Sequence, residues 1–237
     1  MKPAIRRNPL NLARLALAIC VSLTACQPTV NATEAPTAIG GSAVDDAKAP
    51  GPLHTAVLSG GCFWGVQGVF EHVAGVRKVV AGYDGGSKQN ARYTLVSSGE
   101  TGHAESVQIS YDPAQVSYGE LLQIFFSVAH DPTQLNRQGP DSGTQYRSAI
   151  FYADARQKEI AVAYIAQLNK AHAFAHPVVT QVNADGGFFE AESYHQDFLI
   201  HNPTYPYIVY NDLPKIEHLK QLFPQVYREK PVTVDGG

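Results

Sequence analysis

From residue 54 onward, hydrophobic and polar positions switch repeatedly between the period of a strand and that of a helix. His54 to Ser59 (HTAVLS) reads as a short strand that runs into Gly60 and Gly61. Phe63, Val66, Phe70 and Val73 recur at helical spacing and predict a helix over 63–73. Val76 to Ala81 reads as a second strand, and the glycines and polar residues of 83–92 predict a loop. Residues 105–111 (ESVQISY) alternate, so that Glu105, Val107, Ile109 and Tyr111 share one face. Residues 118–129 form an amphipathic helix, with Ser117 placed to cap it and Glu120 three residues on. A long polar loop follows over 131–146. Then come a strand over 147–152, a helix over 154–171 capped by Asp154, a strand over 178–182 and a short helix over 190–199. Past a loop containing Pro203, Pro206 and Pro214, a last helical turn spans 215–222. Strands and helices alternate, which predicts an α/β or α+β fold in one domain, a sheet covered by helices.

The chain before residue 54 has neither period. Lys2, Arg6, Arg7 and Arg14 precede a short apolar run, Leu15 to Ala25, too short to span a bilayer as a helix. Residues 1–25 read as an export signal. The run ends in Leu23-Thr24-Ala25-Cys26, which resembles the bacterial lipobox, where the cysteine is lipidated and becomes the new N-terminus. On that reading Cys20 leaves with the signal and Cys26 anchors the protein in the cell envelope, facing the periplasm. Gln27 after the anchor favours the outer membrane. Ordinary secretory cleavage near Ala25 is the alternative. Residues 26–53 are then the lipidated cysteine and a flexible tether. Rich in Pro, Ala, Thr and Gly, the tether has too little apolar surface to offset its ordering entropy. As a coil its ends lie ~30 Å apart. The folding domain is expected over 54–228, with 229–237 a frayed tail.

Charge and cysteine count narrow the chemistry. Four of the 18 basic residues belong to the signal, which leaves 14 against 21 acidic residues, a formal charge of −7. That argues against nucleic acid as a partner. Cys62 is the one cysteine of the expected domain, so no disulfide framework forms within it. The only methionine is Met1. No C-x-x-C spacing occurs, and no histidine spacing supports zinc, so no metal site is expected.

Cys62 sits in Gly60-Gly61-Cys62-Phe63-Trp64-Gly65, beside the only tryptophan. At the start of the 63–73 helix, its thiolate would be favoured by backbone N–H groups and the helix dipole. The flanking glycines bring the backbone close to something, and Phe63 and Trp64 read as a pocket wall or as core. Glu105 is either a buried carboxyl held protonated for general acid catalysis or a wet residue at a strand edge. Tyr93 and Tyr146 are potential hydrogen-bond donors to a bound oxygen, or packing residues among 12 tyrosines. Asp141 is equally a turn residue. His103, His130 and His195 could pair with the thiol.

Together these segments resemble peptide methionine sulfoxide reductase A. The resemblance rests on GGCFWG, AGYDGG (81–86), Tyr93, SGETGHAESVQISYDP (98–113), HDPTQLNRQGPDSGTQYRS (130–148) and HQDFL (195–199). It runs from about residue 55 to 227. It implies a two-layer α/β sandwich around a ferredoxin-like core, and reduction of the S epimer of methionine sulfoxide, free or in proteins. It assigns Cys62 as nucleophile, Glu105 as proton donor, and Tyr93 and Tyr146 as donors to the sulfoxide oxygen. Phe63 and Trp64 become the pocket for the S-methyl group, and Asp141 an acidic residue of the same pocket. His195 lies near the site. Many members carry resolving cysteines near the C-terminus; this tail has none, and Ser97 stands where some have cysteine. The chain therefore looks like a one-cysteine, monomeric member with no bound cofactor. An external thiol (thioredoxin-like, glutaredoxin-like or small) would reduce its sulfenic acid. A thiol peroxidase, a non-catalytic binder of oxidised methionine and a Cys–His hydrolase are the rival classes.

Overall fold

The computed structural model describes Met1 and residues 35–234. The chain divides into two compact units, 1–30 and 31–237, and the account below concerns the second. The export signal and Cys26 therefore lie outside the described residues, Met1 apart.

β1 (His54–Gly60) runs through the middle of a six-stranded sheet. It pairs antiparallel with β3 (Ala104–Tyr111) on one side and β6 (Ser148–Tyr152) on the other. β2 (Val76–Asp84) lies antiparallel outside β3. Between β1 and β2 the chain forms α1 (Phe63–Glu71), and between β3 and β6 it forms α3 (Tyr118–Ile124). A β-α-β-β-α-β path with strand order β6-β1-β3-β2 is the ferredoxin-like core expected of the sequence. Two edge strands widen it: β7 (Gln181–Ala184), parallel to β6, and the short β8 (Phe189–Glu190), antiparallel to β2.

Helices cover one face of this sheet. Phe63, Val66 and Phe70 of α1 join Leu58, Val107, Ile109 and Leu121 in the main core. α4 (Ala155–Lys170) covers β6 and β7 beside α3, and α6 (Leu213–Leu222) closes the layer against α1. Both predicted caps form. Ser117 accepts from the Glu120 N–H while Glu120 accepts from the Ser117 N–H, and Asp154 accepts from the Gln157 N–H. Among the described residues no helix is long and apolar enough to cross a membrane.

Several local expectations are corrected. The 118–129 helix ends at Ile124 and continues as a π-helical turn, Phe125–Ala129. Residues 83–92 are partly strand, because β2 reaches Asp84, and a short α2 (Tyr93–Val96) follows. The 131–146 loop contains a small hairpin, β4 (Arg137–Gln138) with β5 (Asp141–Ser142). The helix expected over 190–199 does not form. Instead a 3-10 turn, Ser193–His195, leads to α5 (Phe198–His201). The Gln196 side chain accepts from the Ala81 N–H at 2.9 Å and donates to the Ala81 carbonyl at 2.9 Å, extending the edge of β2. Asp197 stands at φ 51, outside helical space. Tertiary hydrogen bonds to a sheet edge thus override a local period.

The part of the tether that is described does not run free. The Thr37 N–H bonds the Ser127 carbonyl, and Gln123 and Tyr164 donate to the carbonyls of Ile39 and Gly40. Asp45 accepts from Ser117 Oγ–H and from the Gly119 N–H. The composition shows little apolar surface, but it hides how many backbone and carboxylate groups find fixed partners. The tail behaves similarly: the Val232 and Val234 N–H groups donate to the Glu71 carbonyl and the Asp197 carboxylate.

Candidate active site

β1 delivers the chain to Cys62, which caps α1 with φ −56° and ψ 123°. Extending the β1–β3 register past Leu58 opposite Val107 places Glu105 opposite Gly60. The alternation that put Glu105 on the face of Val107 and Ile109 therefore points it under the helices, beside the thiol. Its Oε2 accepts from the Phe63 N–H at 3.1 Å, so the first turn of α1 holds both nucleophile and carboxyl. Glu105 is buried. Burial is the main force pushing its pKa up to about 8; Asp141 and Asp212 push the same way and the Phe63 N–H opposes them. At neutral pH it carries a proton.

The helix start does not lower the Cys62 pKa. Burial raises it, followed by the charges of Glu105 and Asp212, while a backbone N–H of Trp64 acts in the other direction and Asp141 adds to the rise. Half a helix dipole cannot outweigh desolvation plus three carboxyl neighbours. The resting group is a thiol, 8% exposed.

The aromatic neighbours make one connected wall. The Trp64 ring stacks on Phe198 with centroids 3.9 Å apart, and Trp64 Nε1–H donates to His195 Nδ1 at 3.2 Å. Nδ1 accepts, so the proton of the neutral ring sits on Nε2. Burial lowers the His195 pKa and keeps the ring neutral, with Glu192 opposing. Phe63 and Tyr93 pack on the same imidazole at 5.0 and 4.6 Å. His195 thus holds Trp64, Phe63 and Tyr93 together rather than pairing with the thiol. His130 is occupied as well: it bonds the Phe125 carbonyl and Ser148 Oγ, and burial lowers its pKa to about 3. His103 bonds the Ser87 carbonyl.

Tyr93 comes from α2 and Tyr146 from a 3-10 turn, Thr144–Tyr146. Burial raises both phenol pKa values, and the charges of Glu105, Cys62 and Asp141 raise them further. Both phenols are therefore neutral at pH 7, and both lie close enough to Cys62 to feel its charge. Asp141, from the hairpin, accepts from the Tyr207 hydroxyl. Among the described residues no group of three or more His, Cys, Asp and Glu could hold a metal ion.

The glycines around Cys62 make room for protein rather than for a ligand. Gly61 has φ +91°, and a Cβ there would meet Gln138 at 2.5 Å. A Cβ on Gly65 would lie 2.1 Å from Asp212 Oδ1. Tyr207, Asp212 and Lys215 were not singled out in the sequence. Their signal was the i,i+3 spacing of a carboxylate and an amine around Pro214 at a helix start.

Residues 54–226 match the family model described as peptide methionine sulfoxide reductase. Peptide methionine sulfoxide reductase MsrA 2 of Mesorhizobium japonicum is 63% identical over 191 residues, 81% of this chain and 97% of that protein. The Synechocystis protein of the same name is 56% identical, covering 71% and 78%. Among solved structures, methionine sulfoxide reductase A of Corynebacterium diphtheriae has TM-score 0.55 and 33% identity, covering 72% of this chain and 84% of that one. Reduced Mxr1 from Saccharomyces cerevisiae has TM-score 0.58 and 31% identity, covering 69% and 93%.

Proposed function

The chain belongs to the peptide methionine sulfoxide reductase family and is an oxidoreductase of that type, and we propose that it reduces the S epimer of methionine sulfoxide through a sulfenic acid on Cys62. The observation that carries this reading is the buried Glu105, protonated at neutral pH, against the first turn of the helix that Cys62 caps. A sulfoxide oxygen leaves only once protonated. Glu105 donates that proton, and Tyr93 and Tyr146 hydrogen-bond the same oxygen. Cys62 sulfur takes the oxygen as its own proton passes to the emptied carboxylate. Thiol plus sulfoxide become sulfenic acid plus thioether, with sulfur oxidised at Cys62 and reduced in the substrate. The Trp64 and Phe63 wall receives the S-methyl group, Asp141 borders the same pocket, and His195 holds Trp64 in place. One epimer alone can then aim its oxygen at the donors.

No second cysteine follows Cys62 in the chain. An external thiol therefore reduces the sulfenic acid: two equivalents return Cys62 to the thiol and yield a disulfide and water. The lipobox-like sequence supports an envelope lipoprotein anchored at Cys26 that repairs oxidised envelope proteins.

The test supplies separated S and R epimers with dithiothreitol and quantifies methionine for wild type and Cys62→Ser. Methionine from the S epimer alone, lost in the variant, is expected. Turnover of both epimers, or turnover that survives in Cys62→Ser, would sink the reading.

A further inference from the structure

Tyr93 opens α2, a helix of four residues. A helix so short does not hold its shape alone in water. Arg92 ahead of it makes no side-chain cap, and the N–H of a first helical residue has no partner inside its own helix. The partner comes from the other end of the domain. Glu192 lies between β8 and the 3-10 turn Ser193–His195, and its Oε1 accepts from the Tyr93 N–H at 2.9 Å. Its Oε2 accepts from the Tyr83 hydroxyl at 2.9 Å. Its backbone carbonyl accepts from the His195 N–H at 2.9 Å. Partial burial raises the Glu192 pKa, but these hydrogen bonds hold the carboxyl below its ordinary range, so both oxygens accept at neutral pH.

These grips are placed by reference to the reacting groups. Tyr83 is fully buried on β2 and stands directly opposite Glu105 in the β2–β3 register. Opposed residues of an antiparallel pair share one face of the sheet, and the Tyr83 ring lies 5.9 Å from that of Phe63. Glu192 therefore ties Tyr93 to the rung that carries Glu105. Its carbonyl ties the same segment to His195, on whose ring Tyr93 packs at 4.6 Å. Holding residues 191–196 on the sheet does not require this carboxylate. The Ala191 N–H already bonds the Ala81 carbonyl, and Gln196 bonds both the N–H and the carbonyl of Ala81.

Resting on the reading of Tyr93 as a donor to the sulfoxide oxygen, we propose that Glu192 is a positioning residue that fixes Tyr93 to the rung of Glu105, so that the proton donor and the hydrogen-bond donor address the same oxygen. It acts through Tyr93 rather than on the substrate.

Such a residue has nothing to act on once the Tyr93 hydroxyl is gone. Single-turnover reduction of the S epimer by the full chain, without reductant, reads the chemical step apart from the recycling of Cys62. Tyr93→Phe and Glu192→Ala are each expected to slow that step about tenfold, the contribution of one good hydrogen bond to the reacting oxygen. Combined, they are expected to slow it no more than Tyr93→Phe alone. Glu192→Gln still accepts from the Tyr93 N–H and donates to the Tyr83 oxygen, so its rate should stay within about twofold of wild type. Losses that multiply in the double variant would overturn the proposal, because a general loosening of the fold acts with or without the hydroxyl. Should Glu192→Ala not fold, Glu192→Asp, one methylene shorter and unable to span both partners, takes its place in the same cycle. A wild-type chain that forms no methionine would count against the assigned activity, and the clamp is then read without substrate. Hydrogen exchange of the Tyr93 amide should be about tenfold faster in Glu192→Ala, with the amides of α1 unchanged. Equal exchange at Tyr93 would overturn the clamp by itself.

Discussion

A carboxyl that donates a proton at neutral pH has to be kept protonated there. Glu105 is kept so chiefly by burial, at a pKa of about 8. A general acid works below its pKa, so kcat/KM for the sulfoxide should fall as pH rises through about 8. Glu105→Gln keeps the shape and the ability to accept from the Phe63 N–H but has no proton to give. It is expected to lose ~10²–10⁴-fold in kcat and with it the limb near pH 8, as a pH–rate profile will show. The His195 prediction is of a different kind. Its Nδ1 accepts from Trp64, so His195→Ala frees the indole without touching the reacting atoms. One such bond is worth about 1 kcal/mol, so KM should rise about fivefold with kcat little changed. A fall in kcat alone, with KM unmoved, would place the imidazole in the chemistry instead.

At the scale of elements, α1 joins the site to the fold. Its first turn carries Cys62 and the N–H that orients Glu105. Its last residue, Glu71, is buried beside Asp197 at the start of α5. Burial, with Asp197 adding to it, pushes the Glu71 pKa from an ordinary 4.5 to about 10. The folded state therefore holds a proton that the unfolded chain releases above pH 4.5. The resulting stability is fully present below about 4.5 and is lost as pH rises toward 10. Thermal melts should show Tm falling between pH 5 and 9, and falling less in Glu71→Gln, which has no carboxyl to ionise. Equal slopes would mean that Glu71 is not the proton holder. The same helix shows what a sequence discloses. Its period, the Ser117–Glu120 and Asp154 caps and the face of Glu105 were all readable, because each depends on neighbours a few residues away. The Gln196 contacts with Ala81 and the Asp212–Lys215 pair against Gly65 join residues more than 100 positions apart, and no local period encodes them. The direction of the Cys62 shift is hidden from the sequence for the same reason. The helix start is local and visible, whereas two of the three carboxyls that outweigh it arrive from the hairpin and the C-terminal segment.

For the molecule as a whole, the segment ahead of the sheet changes what the folded unit is. Residues 54–228 hold the whole strand order and the proposed chemistry, yet 35–53 complete the outer surface of α3 and α4. Asp45 reaches the first turn of α3, where it adds to the Ser117 cap, and Asp46 pairs with Arg156 at 2.7 Å. Gln167 holds the strap from both sides, donating to the Gly41 carbonyl and accepting from the Ala43 N–H. The surface pair with Arg156 contributes little. The backbone bonds count for more, at about 1 kcal/mol each before the ordering entropy of the strap is subtracted. None of these contacts touches Cys62, Glu105 or the aromatic wall, so stability and activity should respond differently to their loss. A chain starting at residue 54 is expected to melt several degrees below one starting at residue 35, since each kcal/mol is worth ~2–4 °C at this size. Both should share one kcat/KM at 25 °C. Equal melting temperatures would make the strap a passive leader after all. A matching loss of kcat/KM would mean instead that the strap shapes the site through α3 and the π-helical turn beneath Gly60.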